Sequence, residues 1–485
     1  MTLGQAADAV ASAAGAAAQT CRPDTAAKLR SVAHRVDGKL VLAVAGRLKT
    51  GKSTLVNALL ARDVAPTAAT ECTRLVTRFV RDQTEHLVIV GRDGSRTERG
   101  LESSRIPATL NGIDPDAVDH LDVHLATSRL DWLEIVDTPG LASLYRENTS
   151  RTEDFLDPGS TAAFAGADAV AMCFTGTPRA DDVERMRQLL VAGGDRRGLA
   201  TLGILNRADE ITGGWDAARG QAELMRHTLT GLVADVIPTA ALPGAAARCG
   251  LLDGALLAAC DEMAALPADL LEVMLEDTAL FVGLECPVDT STRVRLLSTA
   301  SLAGAAAAIA HLVGRPGDRA GAVAAIDAVS HLDALDSHLD RLRRRADALK
   351  AQTGIAGLRR IAFAPDLAPA DVATVHNLIA DLLAAPELAV IDELAVLEAA
   401  VATPGTLSPD LSAELDRLFT VADPAERLGL PIGTGRSELA DHAWNAAARW
   451  QAISGSGPPA VQHAARIARR AYLRLDHELN LGEVG

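Results

Sequence analysis

Aromatic side chains are scarce in this chain: 7 Phe, 2 Tyr and 4 Trp make up 3% of its 485 residues. Cores so poor in rings must be built from Leu, Val, Ile and Ala, a composition that favours closely packed helices. Basic residues are in deficit, 47 Lys and Arg against 63 Asp and Glu, for a net charge of −16. That balance excludes the broad basic footprint of a nucleic-acid binder, so no nucleic-acid partner is expected. The six cysteines (Cys21, Cys72, Cys173, Cys249, Cys260 and Cys286) form no Cys-x-x-Cys pair and have no His at zinc spacing. Zinc frameworks are thereby excluded, and small core residues in a reducing cytosol are the expectation. The N-terminus has no basic segment ahead of an apolar core, so no secretory signal is expected. Long apolar runs are also lacking. Residues 296–314 come nearest, but they are rich in Ala and include Ser298, Thr299, Ser301 and His311. A buried helix hairpin is expected there rather than a membrane span.

What the chain does contain falls into two parts. After an Ala-rich, helix-favouring stretch at 1–36, short apolar runs alternate with helical stretches to about Ala241, the pattern of an α/β sheet. Strands are expected at 40–45, 74–81, 86–91, 121–125, 132–136, 169–174, 201–205 and 236–238, with a loop insertion between Arg92 and His120. Beyond Leu242, β-branched runs vanish and helical periodicity dominates. Breaks at Pro267, Pro287, Pro316, Pro365, Pro386, Pro404, Pro424 and Pro458–Pro459 suggest roughly eight to ten helices there.

The chemistry is concentrated at Gly46-Arg47-Leu48-Lys49-Thr50-Gly51-Lys52-Ser53-Thr54. An apolar, strand-like run precedes this glycine loop, and a helix-like run follows it. Strand, glycine loop and helix in that order form a phosphate cradle, because inward-turned N–H groups and the helix dipole both favour an anion. Lys52 is placed to reach the outer phosphates and Ser53 to ligate Mg²⁺. Asp137-Thr138-Pro139-Gly140 follows the run 133–136, which puts Asp137 at a strand end where it can hold Mg²⁺ through water. The Gly140 N–H is placed to sense the γ-phosphate.

Asn206-Arg207-Ala208-Asp209 follows a further strand-like run at 201–205. The Asp209 carboxylate can accept from both guanine edge donors, N1–H and N2–H₂, and adenine offers no such pair, so the ligand is read as GTP or GDP. Asn206 is expected to tie this loop to the phosphate loop, and Arg207 to cover the base where Lys is usual. The threonine completing the Mg²⁺ shell lies between the first two motifs. Thr67, Thr70 and Thr73 all qualify on motif logic.

These elements together, G-x-x-x-x-G-K-S-T-L-V-N-A-L-L at 46–60, A-P-T-x-A-T-E-C-T-R-x-V-T at 65–77, D-T-P-G at 137–140 and N-R-A-D at 206–209, resemble bacterial dynamin-like GTPases. The likeness is greatest to the isoniazid-inducible GTPases of mycobacteria and related actinobacteria, the shorter C-type member above all. It is strong through the GTPase region and weak beyond it. It implies an α/β P-loop GTPase head, mostly parallel and doubly wound, at 39–245. An N-terminal helix at 1–38 would join an all-α neck and trunk at 246–485. It selects Thr73, which falls seven residues after Pro66 and precedes Arg74. It further implies head dimerisation or assembly with a related dynamin-like chain, stalk movement, and membrane remodelling at the inner face of the plasma membrane.

Two residues depart from the dynamin pattern. Leu48 stands where dynamins place a water-orienting Gln, which implies slow or partner-assisted hydrolysis. Lys49 stands where some GTPases hold K⁺, so its ammonium can stabilise charge in cis, and Arg47 can contact a nucleotide across a dimer. Basic clusters at Arg341–Arg345 and at Arg466, Arg469, Arg470 and Arg474 are candidates for anionic lipid or for ion pairing within the chain. The rival readings are a GTPase switch acting on a protein without lipid contact, and a ribosome-assembly GTPase. The acidic helical half speaks against the latter.

Overall fold

In the computed structural model, residues 4–67, 75–110, 112–138, 166–192, 198–403 and 405–481 are described. Nine strands form one mixed sheet in the order β4-β3-β5-β2-β6-β1-β7-β8-β9. They are β1 (Leu40–Gly46), β2 (Val76–Arg81), β3 (His86–Gly91), β4 (Arg96–Arg99), β5 (Val118–Leu125), β6 (Leu133–Asp137), β7 (Ala169–Phe174), β8 (Thr201–Leu205) and β9 (Asp235–Pro238). From β6 through β1, β7 and β8 to β9 every pairing is parallel. β2 runs antiparallel to β6, and β3 runs antiparallel to both β5 and β4.

The parallel half explains the unbroken apolar runs, because both of its faces are covered. On β1, Leu42 and Val44 pack with Leu55 and Leu59 of the helix Lys52–Leu60. Ala43 and Ala45 point the other way, toward Met186 of the helix Ala180–Ala192 and Ala222 and Met225 of the helix Gly214–Thr228. Helices therefore lie on both faces, and all parallel strand ends carrying the loops named above open on one edge.

The span 92–120, expected to be loop, contains β4 and the start of β5. β4 reads Arg-Thr-Glu-Arg and is largely exposed, so it lacks the apolar alternation that marks a strand. A charged edge strand of this kind discourages pairing with another sheet. Beside it, His86 and His124 stack with centroids 4.1 Å apart and planes at 9°. Asp82 Oδ2 lies 3.2 Å from His124 Nδ1 beside this stack.

From Ala241 onward the described residues form fourteen helices, more than the prolines suggested. Two of the extra boundaries are set by aspartates, Asp253 and Asp277, and three more fall at His331, Arg345 and Gly435, which give no side-chain cap. Asp253, Asp277, Asp289 and Asp318 each cap the following helix by accepting from a backbone N–H two or three residues on. Residues 296–312 lie in the element Thr290–Leu312, in which two helical segments meet across a kink at Ser301. This helix is long and apolar enough to cross a membrane by length and composition alone, but its apolar side packs on the helices Ala241–Arg248, Gly254–Ala264 and Arg319–Val329.

The Ala-rich N-terminus is two helices, Gln5–Ala17 and Pro23–Asp37, packed on the helix Ala346–Ala362. Asp347 accepts from Ala7 N at 2.8 Å, and Asp371 accepts from Arg22 N at 3.2 Å. At the sheet, Lys350 reaches Asp168 at 3.0 Å and donates to Arg35 O at 2.9 Å, and both side chains are wholly buried. Asp168 in turn accepts from Val41 N at 2.9 Å, so one buried pair ties the helix Ala346–Ala362 to β1. Members of the basic clusters also form ion pairs within the chain, Arg345 as a buried side chain and Arg470 as an exposed one. Arg345 pairs with Asp416, Arg474 with Glu393 and Arg470 with Asp392.

Candidate functional site

The phosphate loop leaves β1 at Gly46 and enters the helix at Lys52. Two glycines are required by its path. At Gly46 (φ 146°) a Cβ would lie 2.4 Å from Cys173 O of β7, and at Gly51 (φ 82°) it would lie 2.3 Å from Asn206 Nδ2. The second approach has a purpose. Asn206 Nδ2 donates to Thr50 O at 2.8 Å, and Asn206 Oδ1 accepts from Ala241 N at 2.9 Å. One buried amide thus clamps the phosphate loop, the loop after β8 and the loop after β9.

Within the phosphate loop, Lys52 is nearly buried and its ammonium donates to Arg47 O at 3.0 Å. Thr50 Oγ1 donates to the same carbonyl at 2.9 Å. Arg47 is occupied within its own chain, paired with Asp182 at 2.6 Å and Asp181 at 2.5 Å. The hydrogen bond to Asp182, helped by the nearby charges, raises its pKa further. Leu48 and Lys49 are exposed at the tip, Lys49 with a left-handed backbone (φ 64°), and Thr54 is half-buried on the first helical turn.

Ser53 and Asp137 come together from different elements. Ser53 Oγ donates to Asp137 Oδ2 at 2.9 Å, while Asp137 Oδ1 is buried with no hydrogen-bond partner. Burial raises the Asp137 pKa from 3.8 to about 6, against the opposing pull of the Lys52 charge and the Ser53 hydroxyl. A hydroxyl and a carboxylate with an orphaned oxygen, at a helix N-terminus beside a lysine, form a hard-oxygen donor set that fits Mg²⁺. Thr70, Thr73 and Gly140 lie outside the described residues. Thr67 is described, and no hydrogen bond places it at this pair.

In the loop after β8, Arg207 has a left-handed backbone (φ 61°) and its guanidinium lies 3.6 Å from Glu210. Ala208 N donates to Thr239 O at 3.0 Å, so the loop after β9 supports the loop after β8. Asp209 is half-buried, and its Oδ2 accepts from Ser301 Oγ at 2.6 Å.

The Dynamin family model matches residues 42–207. The "Isoniazid-induced protein IniC" of Mycobacterium tuberculosis (strain ATCC 25618 / H37Rv) is 32% identical over 478 residues, covering 94% of this chain and 94% of that protein. The chain is a bacterial dynamin-like GTPase of the IniC family. A second relative of this dynamin-like GTPase, the "Uncharacterized protein in xynA 3'region" of Caldicellulosiruptor sp. (strain Rt8B.4), is 28% identical over 154 residues, 31% of this chain and 36% of that one. A solved structure described as "An oligomerised bacterial dynamin pair provides a mechanism for the long range sensing and tethering of membranes" superposes with a TM-score of 0.33 and 11% identity, over 94% of this chain and 87% of that one. As a member of the dynamin family, the protein is a GTP hydrolase.

Several residues at the site of this dynamin-like GTPase escaped the motif reading. Asp181 and Asp182, which hold Arg47, begin a helix and carry no local signal beyond an acidic first turn. Thr239 and Ala241 could have been found, since they follow an expected strand and must lie on the same sheet edge as the other loops. Ser301 could not, because nothing near it in sequence links it to Asp209.

Proposed function

We propose that this GTPase binds GTP with Mg²⁺ and couples the nucleotide state to head dimerisation and to movement of a helical stalk during membrane remodelling. In this reading residues 39–245 form the head, 1–38 join the neck, and 246–485 supply neck and trunk. The observation that carries it is the Ser53–Asp137 pair at the start of the phosphate-loop helix, in which the second Asp137 carboxylate oxygen is buried without a hydrogen-bond partner. Ser53 and Asp137 would hold the metal with Thr73, and Mg²⁺ would neutralise charge between the β- and γ-phosphates. The Lys52 ammonium exchanges the Arg47 carbonyl for phosphate oxygens, Gly140 reports the γ-phosphate, and Asp209 reads the guanine edge beneath Arg207.

Hydrolysis by a lone head is slow, because Leu48 cannot orient water. Leu48 and Lys49 are exposed at the loop tip, where a second head can cover them and exclude solvent. Lys49 then supplies positive charge to the transferring phosphoryl group. GTP turnover measured against protein concentration tests this part. A specific rate that rises with concentration supports head–head activation, and a flat rate overturns it. Lys52→Ala is expected to abolish nucleotide binding, and retained tight GTP binding would refute the site.

Membrane contact at the inner face of the plasma membrane is the reading taken from the family. A second reading, a switch or partner subunit that leaves lipid contact to another dynamin-like chain, is favoured by one observation. Arg345, Arg470 and Arg474, members of the basic clusters, are engaged with Asp416, Asp392 and Glu393 of the same chain. Co-sedimentation with anionic vesicles, with and without GTP, separates the two. Binding supports the first reading, and its absence in every nucleotide state supports the second.

A further inference from the structure

The helix Thr290–Leu312 breaks at a single residue. Ser301 has φ 61° and ψ 174°, a combination that is essentially confined to glycine and costly for any residue with a Cβ. A serine persists in such a conformation only where its surroundings hold it there. Ser301 Oγ donates to Asp209 Oδ2 at 2.6 Å and lies 3.5 Å from Gly304 N, which starts the second half of the helix. The hydroxyl therefore sits between the base-reading carboxylate and a new helix N-terminus, where partial positive charge favours an anion. The helix Ala241–Arg248, which packs against Thr290–Leu312, begins at the backbone N–H held by Asn206. The loop after β8 is thus held from two sides by the helical half.

We propose that Ser301 is a positioning residue for guanine recognition: its hydroxyl fixes the rotamer of Asp209 so that both carboxylate oxygens meet the guanine edge. The proposal rests on the reading of Asp209 as the base selector. A carboxylate offers about four lone-pair sites. One hydrogen bond from Ser301 leaves a site free on each oxygen for N1–H and N2–H₂, so hydroxyl and base bind together rather than compete. Base occupancy then stabilises the Asp209–Ser301 contact and, through it, the break in the helix. The motif selects guanine, and the helical half holds the motif in its selecting geometry.

Glycine at position 301 separates the hydroxyl from the backbone, because it keeps the φ and ψ of the break without strain. Ser301→Gly is expected to melt at the same or a higher temperature than the parent. It should bind GDP about three- to tenfold more weakly, the range of one ordinary hydrogen bond, because the variant loses the positioning contact and not a contact to the base itself. IDP, which lacks the N2 amino group, should weaken less, so that the ratio of GDP to IDP affinity falls, and ADP affinity should not change. Ser301→Ala should lose the same discrimination and also melt lower. Titration of GDP, IDP and ADP into the full-length parent, Ser301→Gly and Asp209→Ala gives the readout. An unchanged GDP-to-IDP ratio in Ser301→Gly overturns the proposal, as does tighter GDP binding, which would mean that hydroxyl and base compete. If Asp209→Ala itself leaves GDP affinity intact, the base-selector reading fails instead.

Discussion

Replacing Asp137 with Asn is expected to stabilise the protein in nucleotide- and metal-free buffer while removing its response to Mg²⁺. Burial holds the Asp137 pKa at about 6 rather than 3.8. Between those values the folded chain keeps a proton that the unfolded chain has released, so the stability this group contributes is full below 3.8 and is lost as the pH rises through 6. The shift of about 2 units corresponds to roughly 3 kcal/mol at pH 7.5 and to about half that at pH 5. Asparagine is nearly isosteric, and its Oδ1 can still accept from Ser53, so it relieves the charge without opening a cavity. Thermal melts of both proteins at pH 7.5 and pH 5, without divalent ions, should show the variant ahead by the larger margin at pH 7.5. With GDP and MgCl₂ the parent should gain stability that the variant lacks, because ligation favours the ionised carboxylate. A variant less stable than the parent at pH 7.5, or a margin that widens as the pH falls, would refute the reasoning.

Other outcomes follow from the same geometry. Gly51→Ala places a methyl 2.3 Å from Asn206 Nδ2 at a left-handed position, and is expected to weaken nucleotide binding and lower the melting temperature, with a strain of roughly 1–3 kcal/mol. Titration calorimetry beside thermal melts checks both effects. Asp168→Asn leaves the buried Lys350 without its counter-charge, which should cost about 3–5 kcal/mol in urea unfolding. Asp168→Asn with Lys350→Met should recover much of that loss. Lys49→Ala is expected to lower GTP turnover at high protein concentration with GDP affinity unchanged, since the side chain is exposed and makes no contact that holds the loop. Unchanged turnover would confine Lys49 to the surface.

The sequence by itself determined the parts whose physics is local. An apolar run followed by G-x-x-x-x-G-K-S can hardly be anything but strand, cradle and helix, and the run 169–174 announced a strand covered on both faces by having no polar residue in it. The same logic put Asp137 and Asn206 at strand ends on one edge of the sheet. Tertiary structure alone decided how those ends are held. Ser301 and Asp209 are 92 residues apart and Asn206 and Thr50 are 156 apart, and no periodicity encodes such a pairing. β4 was hidden because a charged edge strand has no buried face to pattern. The helix boundaries after Ala241 were undercounted because the starts at Asp253 and Asp277 rest on N-capping acids that look like any surface acid, and those at His331, Arg345 and Gly435 have no proline and no side-chain cap at all. Motif chemistry named the ligand of this dynamin-like GTPase, while long-range contacts decide how tightly the motifs are held to one another. Those contacts depend on which helices pack together, and only the assembled fold specifies that.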